Sequence, residues 1–374
     1  MASITRTNSD ALMPEEATAV INGAAKSSVM MSAMTRMPNM TRLQERMPIL
    51  DQLPVAYFTG QQDDALRGPQ ATAAWFNKFI VAQEIAAVFT VPQNVIADSG
   101  YDIVSMVMPR IMESIGLAFD QAVAVGKNAP LAGSIWPECI LTQAGVAIDP
   151  QGFGVAGGRN NEGHSNIVSL GGAASYTCPD GTVATTNAVG YLNEYQATAG
   201  KDIGTGTNPK SFYGGAFQRV LNMGYRTSSI MGTIPFEGAL QGMTDTTGRP
   251  LLLNNGQSPI QGKPSLSIAG VPYSSADNGA LESASGLLAI GGDLKQAVFS
   301  VRQDIDYQVT TEGVITDSTG KVLVNCFQQR CWAVVVWFRV GWQVPNPPSI
   351  VAAANNRNVN GSSTVRSPFW ALVS

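Results

Sequence analysis

The strongest strand pattern in the chain is CWAVVVWFRVGWQVP, residues 331–345. Its first half is apolar at almost every position, as in a strand covered on both faces. Its second half alternates, with Phe338, Val340, Trp342 and Val344 on one face. Such a strand would run for more than about 40 Å. Residues 98–126 follow a helical spacing instead. Ile111, Ile115, Phe119 and Ala122 form one stripe, with Met108, Met112 and Ala118 beside it. Ser99-x-x-Asp102 reads as a capping box, and Gly126 and Pro130 punctuate the end. Pro109 predicts either a kink or a second helix that starts near it. At 1.5 Å per residue this helix would also measure about 40 Å. A strand and a helix of matched length imply an elongated, flattened domain.

The run LLAIGGDLKQAVFSVRQDIDYQVTTEG (287–313) predicts an apolar strand, a Gly-Gly turn and a charged strand. Arg302, Asp304 and Asp306 are expected on one face of that second strand, as a ladder of ion pairs. Residues 49–95 predict a β-hairpin. VAYFT (55–59) is one limb, TGQQDDALRGPQ (59–70) a polar tip, and WFNKFIVAQEIAAVFTV (75–91) the return. A two-stranded projection is marginal without a neighbour. Residues 1–48 predict an arm, with a helix start at Pro14-Glu15-Glu16 and extended chain around Pro38 and Pro48. Residues 131–210 predict loops around short strands. Further short strands and a helical pattern at 211–224 make the whole α+β. The tail 346–374 ends in RSPFWALVS, read as one last strand docking on its own chain or on a neighbour.

Charged residues make up 13% of the 374 residues, against about 25% in ordinary soluble domains. So little charge points to a surface covered largely by other subunits; the plainer reading is a Gly-, Ser- and Thr-rich solvated surface. The net charge of −4 carries no basic stripe for nucleic acid. Cys139, Cys178, Cys326 and Cys331 fit neither a zinc site nor a disulfide scaffold, and are expected as buried thiols in a reducing compartment. The polar N-terminus lacks the apolar region of a secretory signal, and no window approaches the ~18 apolar residues of a membrane span.

Candidate chemistry is sparse. His164, in a Gly/Asn loop, is the single histidine, so any Ser-His-Asp or Cys-His centre would have to use it. No catalytic residue, cofactor or metal is expected. The richest charged set is Asp293, Lys295, Arg302, Asp304, Asp306, Glu312 and Arg339. One reading is a solvated strand edge, worth little per residue. The other is complementary charge at a repeated subunit boundary, where it sets register and rejects wrong partners.

The order of parts resembles the major capsid protein family of tailed bacteriophages, whose fold is named after phage Hong Kong 97. FIVAQEIAAVFTVPQNVIADSGYDI (79–103) resembles the approach to the family's spine helix, and VMPRIMESIGLAFDQAVAVGKNAP (107–130) the spine helix itself. GDLKQAVFSVRQDIDYQVTTEG (292–313) and CFQQRCWAVVVWFRVGWQV (326–344) resemble its peripheral strands. The resemblance covers about residues 10–345. It implies an N-terminal arm at 1–48 reaching another subunit and an extended loop at 49–95. It also implies a peripheral domain at 96–130 and 292–345, an axial domain at 131–291, and a C-terminal tail at 346–374. It implies a homo-oligomer of pentamers and hexamers, closed into an icosahedral head shell around double-stranded DNA held without sequence-specific binding. Portal, scaffolding and decoration proteins are the implied partners, with no membrane involved. Assembly would take place in the host bacterial cytoplasm, and the product is the virion capsid. Gln61, Asp63, Asp64 and Arg67 at the loop tip join the seven charged residues above as candidate inter-subunit contacts.

Two departures bear on these expectations. Some family members cross-link a lysine of the extended loop to an asparagine of the peripheral domain, but this loop tip has no lysine and Lys78 lies far down the return limb. The arm is short and apolar for a scaffolding segment, so scaffolding is expected from a separate protein or the chain is already mature. Three other readings compete, one of them an enzyme that pairs Cys326 or Cys331 with His164. An encapsulin-type compartment shares the fold and holds enzymes. A β-rich ligand-binding protein would use Trp332, Trp337 and Trp342 as sugar platforms.

Overall fold

The computed structural model describes residues 28–50, 75–98, 103–130, 136–146, 166–169, 175–179, 181, 183–185, 220–221, 224–241, 266–268, 271–317, 319–345 and 367–374. The first half of the chain holds α1 (Val29–Ala33), β1 (Thr35–Arg36), β2 (Gln44–Leu50), β3 (Trp75–Val81), β4 (Gln83–Pro92), α2 (Gln93–Asp98) and α3 (Ile103–Ala124). Shorter elements follow: α4 (Ile140–Val146), β5 (Ile167–Ser169), β6 (Ser175–Thr177), β7 (Val183–Thr185), β8 (Ser229–Gly232), α5 (Ile234–Gln241), β9 (Leu266–Ile268) and β10 (Val271–Ser275). The C-terminal part has β11 (Leu287–Gly292), β12 (Val298–Thr310), β13 (Val314–Thr316), β14 (Val322–Asn325), α6 (Cys326–Gln329), β15 (Cys331–Gln343) and β16 (Phe369–Val373).

One sheet has the order β1-β12-β15-β4. β15 is interior, antiparallel to both β12 and β4. That position follows from its sequence, since an interior strand covered on both faces needs apolar residues at successive positions. Val334, Val336, Phe338, Val340 and Trp342 face the main core. The expected stripe of α3, Ile111, Ile115, Phe119 and Ala122, is buried in the same core. Phe119 meets Phe299 of β12 edge-to-face at 6.5 Å. Met112 departs from expectation and is exposed.

Within the expected 98–126 stretch the structure has one helix, α3, preceded by the short α2 that ends at Asp98, and the capping pair Ser99 and Asp102 lies outside the described residues. α3 runs 22 residues, about 33 Å. It neither begins nor ends at Pro109, which sits inside it. Packing of Val107 against Val91 and Val95 holds the turn before the proline, offsetting the roughly 3 kcal/mol an interior proline costs. Past the helix, Gly126 takes φ +76 while Lys127 N–H returns to the Gln121 carbonyl at 3.2 Å. This left-handed glycine stop is the one its position predicts.

A second sheet has the order β5-β16-β11-β8-β10-β9. The last strand, β16, is buried throughout, parallel to β5 and antiparallel to β11. The tail thus ends in the interior of a sheet of its own chain. The Gly-Gly turn expected at 291–292 is not a turn. Both glycines belong to β11, and the reversal comes after them, at a 3-10 turn over Leu294–Gln296. They are glycines because β16 fills the space. A Cβ on Gly291 would lie 2.3 Å from the Trp370 ring, and one on Gly292 (φ +137) 2.2 Å from the Pro368 carbonyl oxygen.

The hairpin also differs from expectation. Its strand at 55–59 lies outside the described residues, and the strand paired with β3 is β2, from Gln44↔Val81 to Leu50↔Trp75. The arm expected to end at 48 therefore runs straight into the hairpin. Pro48 is tolerated within β2 because a two-stranded ribbon leaves one edge with no ladder bond to lose.

Candidate assembly surfaces

The part of the arm that is described, residues 28–43, lies on its own chain. Its seat is built by two α3 residues one turn apart. Gly116 clears space: a Cβ there would come within 3.1 Å of the Ser28 backbone nitrogen. Asp120 supplies acceptors. Its carboxylate accepts from the Ser28 hydroxyl, from Val29 N–H at 2.8 Å, from Met30 N–H at 3.3 Å and from the Asn278 side-chain amide at 2.6 Å. Ser28 is also the N-cap of α1, accepting from Met31 N–H. One carboxylate thus ties the arm, the long helix and the loop between β10 and β11. Beyond the seat, β1 pairs in parallel with the start of β12. Met37 and Met40 donate to the Phe299 and Val301 carbonyls at 2.8 and 3.0 Å. Asp120 escaped the sequence reading because it sits inside an apolar helix. The signal was there: an acid four residues after a glycine, next to the buried stripe.

Burial pushes the Asp120 carboxyl above the ordinary value of 3.8, against the lowering pull of its hydrogen bonds. A native value above the unfolded one means the folded chain takes up the proton first as pH falls. The stabilising contribution is then full below the unfolded value and is lost as pH rises through the raised one. Asp120→Asn is expected to remove this dependence. In denaturant titrations at stepped pH, the stability of wild type relative to that variant should decline as pH rises from the carboxyl range.

The base of the hairpin is fastened to β15. Lys78 Nζ donates to the Val344 carbonyl at 2.8 Å, and Gln343 Nε2 to the Phe79 carbonyl at 3.0 Å. At Gly341 the ribbon passes so close that a Cβ would lie 2.7 Å from the Val81 oxygen. Burial holds the Lys78 ammonium below the usual lysine range.

The candidate charged residues do not form one patch. β12 alone is 13 residues, about 40 Å long. Asp293 and Lys295 lie at the turn before it; Asp293 accepts from the Gln296 side-chain amide at 3.2 Å. Glu312 lies past its far end, where its N–H donates to Thr310 Oγ1. The expected ladder of Arg302, Asp304 and Asp306 does not form among the described residues. Register shifts between Val301 and Gln303 and between Gln303 and Asp306 break the alternation such a ladder needs. Instead each aspartate accepts from the next residue's N–H, Ile305 and Tyr307, at 2.9 Å. β1 pairs β12 only at Val298 and Phe299, and beyond that pairing a bulged strand side whose amides are covered by carboxylates resists pairing with a stray strand. Arg339 pairs across strands with Glu84 at 3.5 Å, half-exposed and worth at most about 1 kcal/mol. Gln61, Asp63, Asp64 and Arg67 lie outside the described residues.

At the far end of β12 and β15, the β13–β14 hairpin and α6 present Val314, Val322, Leu323 and Phe327 to solvent, Phe327 at 75% exposure. The opposite face of this unit is packed: Ile315 and Val324 cover Cys326, Cys331 and Ala333. A free-standing hairpin would be polar on its outer face, so this apolar tip has the composition of a contact surface.

The sequence matches the phage capsid family over residues 10–354 of 374. The chain belongs to the phage capsid family. No curated protein matches it. Among solved structures, a chain from Microbacterium phage Oxtober96 is similar at 21% identity and TM-score 0.64, covering 100% of this chain and 99% of that one. One from Mycobacterium phage Bobi is similar at 20% identity and TM-score 0.62, with coverage of 100% and 99%. The capsid of a native GTA particle is similar at 16% identity and TM-score 0.54, with coverage of 97% and 96%. The Hong Kong 97-type fold expected from the sequence is the fold of this phage capsid chain.

A phage capsid chain is a structural component, and among the described residues the tryptophans of the rival sugar platform do not come together. Trp342 is fully buried, against Trp136 at 6.3 Å. Trp332 and Trp337, five positions apart in a regular strand, point to opposite faces of β15. The three tryptophans make no common sugar platform. Cys326 and Cys331 are buried, and His164 lies outside the described residues.

Proposed function

We propose that this chain is the subunit of the icosahedral head shell of a tailed bacteriophage, assembling with its own copies into pentamers and hexamers that enclose packaged double-stranded DNA. The observation that carries the proposal is the family match across nearly the whole chain. The physical argument agrees with it. A two-stranded ribbon and an outward apolar hairpin are poor free-standing units, but both are useful where identical neighbours cover them. In this reading 1–43 is the arm, 44–95 the extended loop now that β2 joins the hairpin, 96–130 with 292–345 the peripheral domain, 131–291 the axial domain and 346–374 the tail. The candidate contacts are the loop-tip residues Gln61, Asp63, Asp64 and Arg67, the charged residues Asp293, Lys295, Arg302, Asp304, Asp306, Glu312 and Arg339 on and around β12 and β15, and the apolar tip. Portal, scaffolding and decoration proteins would complete a particle built in the host bacterial cytoplasm.

Electron microscopy of the purified chain after size exclusion tests this directly. Closed shells, or rings of five and six, are expected. A chain that stays monomeric at high concentration with a scaffolding protein present would sink the proposal. Phe327→Asp tests the tip. Because Phe327 is exposed, its replacement should change folding stability by no more than about 0.5 kcal/mol. Shell formation should nevertheless fail; normal shells would remove the tip from the contact surface.

A further inference from the structure

Two thiols meet where α6 joins β15. In CFQQRC, Cys326 opens the helix and Cys331 opens the strand. Between them Arg330 takes a left-handed conformation, φ 47 and ψ 55, which turns the chain back on itself. Both cysteines are buried in one small cluster with Ala333, Ile315 and Val324, apart from the main core. The Cys326 thiol hydrogen-bonds that of Cys331, and burial together with this neighbour pushes the Cys331 thiol up to about 11. While packed, Cys331 therefore stays protonated and inert. The cover is thin. α6 is four residues long, and Phe327, Gln328, Gln329 and Arg330 are all exposed. A single helical turn is marginal by itself, so local opening exposes Cys326 without unfolding the sheet.

We propose that Cys326 and Cys331 are a redox modification site, a dithiol that closes to an intrachain disulfide when it meets an oxidised low-molecular-weight disulfide of the glutathione class. Cys326, having lost its proton to water, attacks one sulfur of the small disulfide. That S–S bond breaks, a mixed disulfide forms on Cys326, and one small thiolate leaves and takes up a proton. Cys331 then gives its proton to water and attacks the Cys326 sulfur, releasing the second small thiol. Two protein sulfurs are oxidised and two small-molecule sulfurs reduced. The bridge closes across the only four residues between the pair and pins α6 to β15 beneath Phe327. In a reducing compartment the pair stays open.

The test uses the full chain in oxidised glutathione at mildly alkaline pH, then alkylation in denaturant and tryptic digestion without reduction. Arg330 places a tryptic cut between the two cysteines. The expected product is peptide 322–330 linked to peptide 331–339, with two of the four cysteines lost to alkylation. Cys331→Ser should instead keep a stable glutathione adduct on Cys326, since nothing resolves it. Full alkylation of both cysteines after oxidant treatment overturns the proposal, as does a lasting adduct on wild-type Cys326.

Discussion

Asp120→Ala is expected to release the arm from the long helix. The substitution leaves the Ser28 hydroxyl, two backbone N–H groups and the Asn278 amide without the acceptor they share. Each buried donor left unpaired costs roughly 1–3 kcal/mol. The four do not add, because they form one network. A loss of about 3 kcal/mol is a conservative sum, and it corresponds to about a hundredfold faster hydrogen exchange where the opening is local. The amides to watch are those the seat holds in place: Thr35 N–H on the Ala297 carbonyl, Met37 on Phe299 and Met40 on Val301. Amides in the middle of β15 should keep their protection. Asp120→Asn retains one acceptor oxygen and should fall between wild type and alanine. Unchanged exchange at residues 35–40 in the alanine variant would show that the strand pairing of β1, and not the carboxylate, holds the arm.

Gly341→Val is expected to lift the hairpin base off the sheet. The atoms in the way are backbone, the Val81 carbonyl and the Ala82 nitrogen, so no side chain can swing aside. Relief requires the ribbon to move, which breaks the Lys78–Val344 and Gln343–Phe79 bonds. Overpacking of this kind costs about 1–3 kcal/mol, small for a chain with this core. The larger effect is geometric. In the proposed shell, where the hairpin is read as reaching a neighbouring copy, a rotation at the base would be magnified along the ribbon and would displace that contact. Denaturant unfolding should therefore change modestly while shell yield in electron microscopy collapses. Gly341→Ala, with a smaller intrusion, should lie between the two. Normal shells from the valine variant would show that the direction of the hairpin is set elsewhere.

The element types along the chain were legible where one local period ran long enough. The stripe from Ile111 to Ala122 and the run from Cys331 to Gln343 are a helix and a strand in the structure, and both bury the faces their spacing marks. The short stretches without a clear period were harder. QERMPIL contains a proline and little alternation, yet it is β2, because its partner β3 supplies the ladder. The charged residues of β12 were correctly placed on a strand. Their grouping was wrong, because two bulges interrupt an alternation that sequence spacing takes to be regular.

By itself, then, the sequence determined the type and the apolar face of its long periodic segments and, through the order of its parts, the phage capsid family. Only the tertiary structure decided what covers each face. Asp120 meets Ser28 across 92 positions of chain, and Gly291 and Gly292 are glycines because a strand near the C-terminus fills the space above them. A local period records that a face is buried, because burial selects side chains residue by residue. It carries no mark of the partner, since contacts far apart in sequence are chosen by shape and hydrogen-bond complementarity once the elements have met.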